Sequence, residues 1–98
     1  MDAREILARL RTNSQKIKAL GAASIGLFGS FSTGNATSAS DIDFIVHFER
    51  GKKTFDNYME LKFLLESLYP GYPVDLVIED ALKPVLRPFI SETVQYAT

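Results

Sequence analysis

The stretch GSFSTGNATSASDID, Gly29 to Asp43, decides how the rest of the chain is read. It is polar and rich in glycine, serine and threonine, and it joins the apolar run ASIGLF (residues 23–28) to the alternating run DIDFIVHF (residues 41–48). The first run, short and bounded by glycines, predicts a buried strand that ends where the polar loop begins. The second places Ile42, Phe44, Val46 and Phe48 on one face and Asp41, Asp43, Ile45 and His47 on the other, which predicts a strand with its apolar face in the core. Asp41 and Asp43 then point to the same side of a sheet, roughly 6.5 to 7 Å apart along the strand. Two carboxylates so placed can grip one cation between them.

Working outward, residues 2–20 space Ile6, Leu7, Leu10, Ile17 and Leu20 as one amphipathic helix ended by Gly21, with Arg4, Arg9, Arg11, Lys16 and Lys18 on its solvated side. After a turn at residues 49–53 comes TFDNYMELKFLLESLY, a helix with Tyr58, Leu61, Leu64, Leu65 and Leu68 on one side, capped by Thr54 or Asp56 and stopped by Pro70, Gly71 and Pro73. A third strand follows at residues 74–78, with Asp75 near its start, and a last helix is expected over residues 83–96, beginning late or kinking at Pro88. Phe28, Phe44, Phe48, Phe55 and Phe63 are expected in the core. Phe31, in the loop, is the one aromatic that could stack on a base, a minority reading beside packing.

The helical crossover between the second and third strands has the length that a parallel pairing requires, and parallel strands start at the same end. The fold expected is therefore α/β, a small mixed sheet flanked by helices, whose one edge collects Gly29, Ser30, Asp41, Asp43 and Asp75. Three converging carboxylates repel one another unless a hard cation sits among them, and magnesium suits oxygen ligands combined with the phosphates of a nucleotide. Two such ions can activate an attacking oxygen and steady a leaving one. Gly29 permits close approach of the backbone to a phosphate, and the Ser30 hydroxyl can hold its oxygens.

Composition narrows the classes further. The 98 residues, 46% hydrophobic and 23% charged, are expected to form a single domain over residues 1–98, with no room for a second recognition domain. There is no cysteine and one histidine, which excludes disulfides, thiolate sites and His-rich zinc sites. A net charge of -1 makes nucleic acid an unexpected partner. No apolar run is long enough to span a bilayer and residues 1–10 carry charges where a secretory signal is apolar, so a cytoplasmic location is expected and no membrane partner is.

Gly29-Ser30, ten intervening residues, then Asp41-Ile42-Asp43, with Asp75 on a later strand, resembles the signature of the DNA polymerase beta nucleotidyltransferase superfamily. The size and element order resemble its minimal nucleotidyltransferases (MNT), the antitoxins of HEPN/MNT pairs. The resemblance implies a nucleotidyltransferase fold, with Asp41, Asp43 and Asp75 as catalytic and metal-binding residues and Gly29 and Ser30 positioning a triphosphate. It further implies transfer of AMP from ATP, with two magnesium ions, onto a hydroxyl of a partner protein, a HEPN-domain toxin, and release of pyrophosphate. Asp75 would help hold metal and accept the acceptor's proton.

The family loop often reads Gly-Ser-Arg-x-Arg-Gly, whereas Phe31 and Thr33 stand here where basic residues would be, and no Lys or Arg lies between Ala19 and Arg50. The triphosphate's charge must then be balanced by metal, backbone N–H groups, hydroxyls or a cation from elsewhere. Arg50, Lys52 and Lys53 follow the far end of the second strand, ~23 to 27 Å from its start. The departure leaves open, beside protein modification, a module that neutralises a partner by contact alone; a third reading, transfer to an RNA end, requires a basic groove, and the acidic balance speaks against it. Pairing with itself or with a partner is compatible with so small a chain.

Overall fold

A computed structural model describes residues 1–97. Its elements are α1 (Ala3–Thr12), α2 (Ser14–Ala19), β1 (Ala22–Phe28), α3 (Ser30–Thr33), β2 (Ile42–Phe48), α4 (Phe55–Leu68), β3 (Val74–Ile78), α5 (Arg87–Thr93) and β4 (Gln95–Tyr96), with short 3-10 turns at Glu79–Ala81 and Pro84–Leu86. The strands form one mixed sheet in the order β3-β2-β1-β4. β1 runs antiparallel to β2 and β4, and β3 is parallel to β2, as its helical crossover requires.

The expected single helix over residues 2–20 is two helices. At the junction the Thr12 hydroxyl donates to the Ala8 carbonyl at 3.0 Å and the Asn13 amide to the Arg9 carbonyl at 2.9 Å, so short polar side chains compete with the helix for its own acceptors. Asp2 caps α1 by accepting from the Glu5 N–H at 3.0 Å. Of the two caps open for α4, the structure uses Thr54, whose hydroxyl accepts from the Asn57 N–H at 3.1 Å.

One sheet face carries the core. Ile25 and Leu27 of β1, Ile42, Phe44 and Val46 of β2 and Leu76 of β3 pack against Ile6 and Leu10 of α1, Ile17 of α2 and Leu61 and Leu65 of α4. Tyr69 closes this layer: fully buried, it donates its hydroxyl to the Ile6 carbonyl at 2.7 Å, while the Arg9 guanidinium lies over its ring and bonds the Leu68 carbonyl. Phe44 and Phe48 are buried as expected, but Phe55 and Phe63 are exposed. Both fall off the stripe that Leu61 and Leu65 define: at 100° per residue Phe63 lies on the opposite side of α4.

The other face of the sheet is roofed only in part. Ile45 is buried there, opposite Ile90 and Val94, and a cavity of about 410 Å³ separates the sheet from α5. The last helix is shorter than the span expected for it, beginning at Arg87 with Pro88 in its first turn, where a missing N–H costs nothing. Tyr96 sits in β4, which pairs Leu27 with Gln95 and Gly26 with Tyr96. A two-residue strand has too few positions to show a period, so the sequence pattern predicted helix to that point.

Candidate active site

Register brings the carboxylates together. In the antiparallel ladder Phe28, the last residue of β1, faces Asp43, and in the parallel ladder Asp43 faces Asp75. Asp41 precedes β2 by one residue, and the Ile42 N–H donates to the Pro73 carbonyl at 2.9 Å, tying the starts of β2 and β3 together. The end of β1 and the starts of β2 and β3 thus meet at one edge, and the sites expected at Gly29, Ser30, Asp41, Asp43 and Asp75 share it.

Asp43 is the centre of this group. Its carboxyl is pushed up to about 6, first by desolvation on partial burial and then by the charges of Asp75 and Asp41. Asp41 and Asp75 are exposed. Among the described residues no three carboxylate or imidazole groups close into a ready metal cage. The donor set is nevertheless all oxygen, and its central carboxylate feels both neighbours. Such a set fits an ion that takes one or two carboxylates and completes its shell with phosphate and water.

Gly29 is in contact with this centre. It has φ of 74° and ψ of -154°, and a Cβ added there would collide with an Asp43 carboxylate oxygen. Only glycine meets both demands. The loop that follows, read from the sequence as irregular, opens with the single turn α3. The Ser32 and Thr33 N–H groups return to the Gly29 carbonyl at 3.1 and 3.2 Å, and the turn ends at Gly34 in the left-handed conformation.

Phe31 does not offer its ring to a base. It is 5% exposed, inside the core layer, with its ring edge-on to Tyr72 at 5.9 Å. An apolar ring between a glycine turn and a core is worth more buried than bared, and the sequence showed only that it lay in a polar loop. His47 lies four residues along β2 from Asp43, its Nδ1 3.2 Å from a Glu79 carboxylate oxygen, and Lys53 pairs with Asp80 at 3.4 Å. These charges belong to the far end of the sheet. A groove of about 440 Å³ runs between the start of α1 and α3, and Asp2, Arg4, Phe31 and Thr33 line it.

The family model of the nucleotidyltransferase domain matches residues 3–97. The chain belongs to the nucleotidyltransferase family. Membership makes it an enzyme of the nucleotidyltransferase class. The protein adenylyltransferase MntA of Thermococcus cleftensis is 37% identical over 76 residues, 78% of this chain and 75% of that protein. A solved structure provisionally assigned as a minimal nucleotidyltransferase superposes with a TM-score of 0.81 at 35% identity, covering 97% of this chain and 95% of that one. A tri-AMPylated HEPN toxin of Shewanella oneidensis in complex with MNT antitoxin also contains a similar chain, with a TM-score of 0.58 and 26% identity, covering 90% of this chain and 71% of that one. The nucleotidyltransferase chain therefore has the mixed-sheet fold of the minimal members, and its neighbours include toxin–antitoxin assemblies. Among its described residues no helix is long and apolar enough to cross a membrane.

Two residues beside this edge are paired without any signal in the sequence. Ser32 and Gln95 bond one another across the end of β1, and nothing in their spacing pairs them. Ser32 carried only the general signal of a serine-rich loop.

Proposed function

We propose that this nucleotidyltransferase moves AMP from ATP onto a hydroxyl of a partner protein, and that it acts in this way as the antitoxin of a HEPN-type toxin. The observation that carries the reading is the contact of Gly29 with Asp43, which in turn faces Asp75 across the parallel ladder. With the Gly29 turn as a phosphate cradle, cradle and carboxylate cluster would be side by side, as nucleotidyl transfer needs. The adenylyltransferase relative and the AMPylated toxin complex support the protein acceptor.

In this reading Gly29 and Ser30 hold the triphosphate with backbone N–H groups and a hydroxyl. Asp41 and Asp43, with Asp75, would hold magnesium, two ions in the full site, which would supply neutralisation of phosphate charge and polarisation of the reacting oxygens. The acceptor hydroxyl oxygen attacks the α-phosphorus, the bond from that phosphorus to the pyrophosphate oxygen breaks, and pyrophosphate leaves with the electron pair. Asp75, exposed at the start of β3, takes the hydroxyl proton. Phe31 is apolar and Thr33 uncharged, so the α3 turn has no cation of its own, and Arg4, which lines the adjoining groove, is the cation that α1 offers. The chain is expected to work in the cytoplasm.

The test is transfer of label from ATP carrying it on the α-phosphate, with magnesium, in a lysate of the native source. Label on one discrete protein band with the wild type and none with Asp43→Asn is the expected result. Labelled RNA in place of protein would replace the acceptor class. No label on either, with the chain folded and a partner still co-purifying, would favour neutralisation by contact, a reading that the cation-poor α3 turn would then explain.

A further inference from the structure

The last strand reaches back to the phosphate-side turn. Gln95 donates from its side-chain nitrogen to the Ser32 carbonyl at 3.0 Å and to the Ser32 hydroxyl at 3.1 Å, and that hydroxyl donates onward to the Thr93 carbonyl. A backbone carbonyl can only accept, so the nitrogen of the Gln95 amide must face Ser32. Both of its bonds go to one residue. We infer that Gln95 is a positioning residue for nucleotide binding, clamping α3 so that Gly29 and Ser30 meet the triphosphate at a set distance from Asp43; this rests on the function proposed above.

The mechanical chain is short. Ser32 and Thr33 both bond the Gly29 carbonyl, so the turn from Gly29 to Thr33 moves as a unit, and Gly29 already abuts the Asp43 carboxylate. At the other end Gln95 is fixed by its pairing with Leu27 and by the Ala97 N–H, which donates to the Ile25 carbonyl at 2.9 Å. Gly26 makes the close approach of β4 possible: a Cβ there would lie 2.7 Å from a Val94 methyl and 3.0 Å from the Tyr96 ring. The clamp therefore connects the sheet to the turn through a residue that is itself exposed. An exposed hydrogen bond contributes little to stability, yet it can decide the placement of a turn when geometry matters to a few tenths of an ångström.

The experiment measures affinity for a non-hydrolysable ATP analogue with magnesium, by titration calorimetry, in the wild type and in Gln95→Glu, Ser32→Ala and Tyr69→Phe. Gln95→Glu keeps the shape and removes the donors. It is expected to weaken analogue binding about tenfold and to speed amide exchange at Ser32 and Thr33, while thermal unfolding stays near that of the wild type. Ser32→Ala, which keeps the bond to the carbonyl and loses the hydroxyl leg, should weaken it less. Tyr69→Phe removes a side-chain to backbone bond in the core and should lower the melting temperature without moving the affinity. Wild-type affinity within twofold in both Gln95→Glu and Ser32→Ala overturns the clamp while leaving the proposed function intact. A wild type that neither binds the analogue nor transfers label overturns the functional reading, and the positioning role falls with it.

Discussion

The two faces of the sheet do different work. One is covered by α1, α2 and α4 and carries the fully buried Ile25, Leu27, Ile42, Phe44 and Val46. The other carries Asp41, Asp43, Asp75 and His47, and its cover is α5 with a cavity beneath it. Alternation along β2 is what permits the division, since neighbouring residues point to opposite sides. Stability is invested on the covered face, so the open face can hold groups that repel one another. The lesson is that carboxylate substitutions should separate activity from folding, while core substitutions should not.

The sharpest way to break this comparison is Phe44→Ala, one residue from Asp43 but on the covered face. Deleting a fully buried ring should cost about 3 to 5 kcal/mol, a large share of the stability of a domain this size, and urea unfolding should show it. Asp43→Asn, in the same assay at neutral pH, should unfold no earlier than the wild type while abolishing label transfer by about a hundredfold or more. If both variants lost stability alike, the division of labour between the faces would be wrong.

Gly29→Ala probes the point where the faces meet. The left-handed φ and the collision with the Asp43 carboxylate together should cost about 1 to 3 kcal/mol and displace that carboxylate. Denaturation and nucleotide titration should therefore fail together in this variant, unlike in Asp43→Asn.

What could be read beforehand divides in the same way. The alternation of DIDFIVHF assigned Ile42, Phe44, Val46 and Phe48 to the core, and a helix-length crossover was enough to make β3 parallel to β2 and bring Asp75 opposite Asp43. These are consequences of period and chain length, which a sequence carries openly. The structure of α3, the short β4 and the bond from Gln95 to Ser32 are not periodic and depend on residues about sixty positions apart, so no local pattern announces them. Ile45 was correctly placed on the carboxylate face, but its burial comes from Ile90 and Val94, which only the returning C-terminal segment supplies.

The electrostatics of the open face can be tested by pH. The Asp43 carboxyl titrates at about 6 in the folded chain against an ordinary 3.8, so the folded state binds the proton more tightly than the unfolded state does. That contribution is fully present below pH 3.8, declines as pH rises toward about 6 and is absent above it. Discounted for the solvent that screens a half-buried group, it amounts to about 1 kcal/mol. Asp43→Asn should raise the melting temperature at pH 7.5 and flatten the decline. Magnesium at pH 7.5 should raise that of the wild type by about 4 to 8 °C, should do less at pH 5, and should leave Asp43→Asn unmoved. A variant that still responded to magnesium would place the ion elsewhere.

The smallest effect is expected from an aromatic that composition alone would send inside. Phe63 is 59% exposed because its place on α4 is diametrically opposite the Leu61 and Leu65 stripe. Phe63→Ala should change the unfolding free energy of the isolated chain by less than about 0.5 kcal/mol, against the several expected for Phe44→Ala. The pair tests whether position on an element, and not residue type, decides which phenylalanines support the fold. A loss at Phe63 comparable to that at Phe44 would mean that α4 packs with a different face inward, and the assignment of the covered layer would have to be redrawn from that helix.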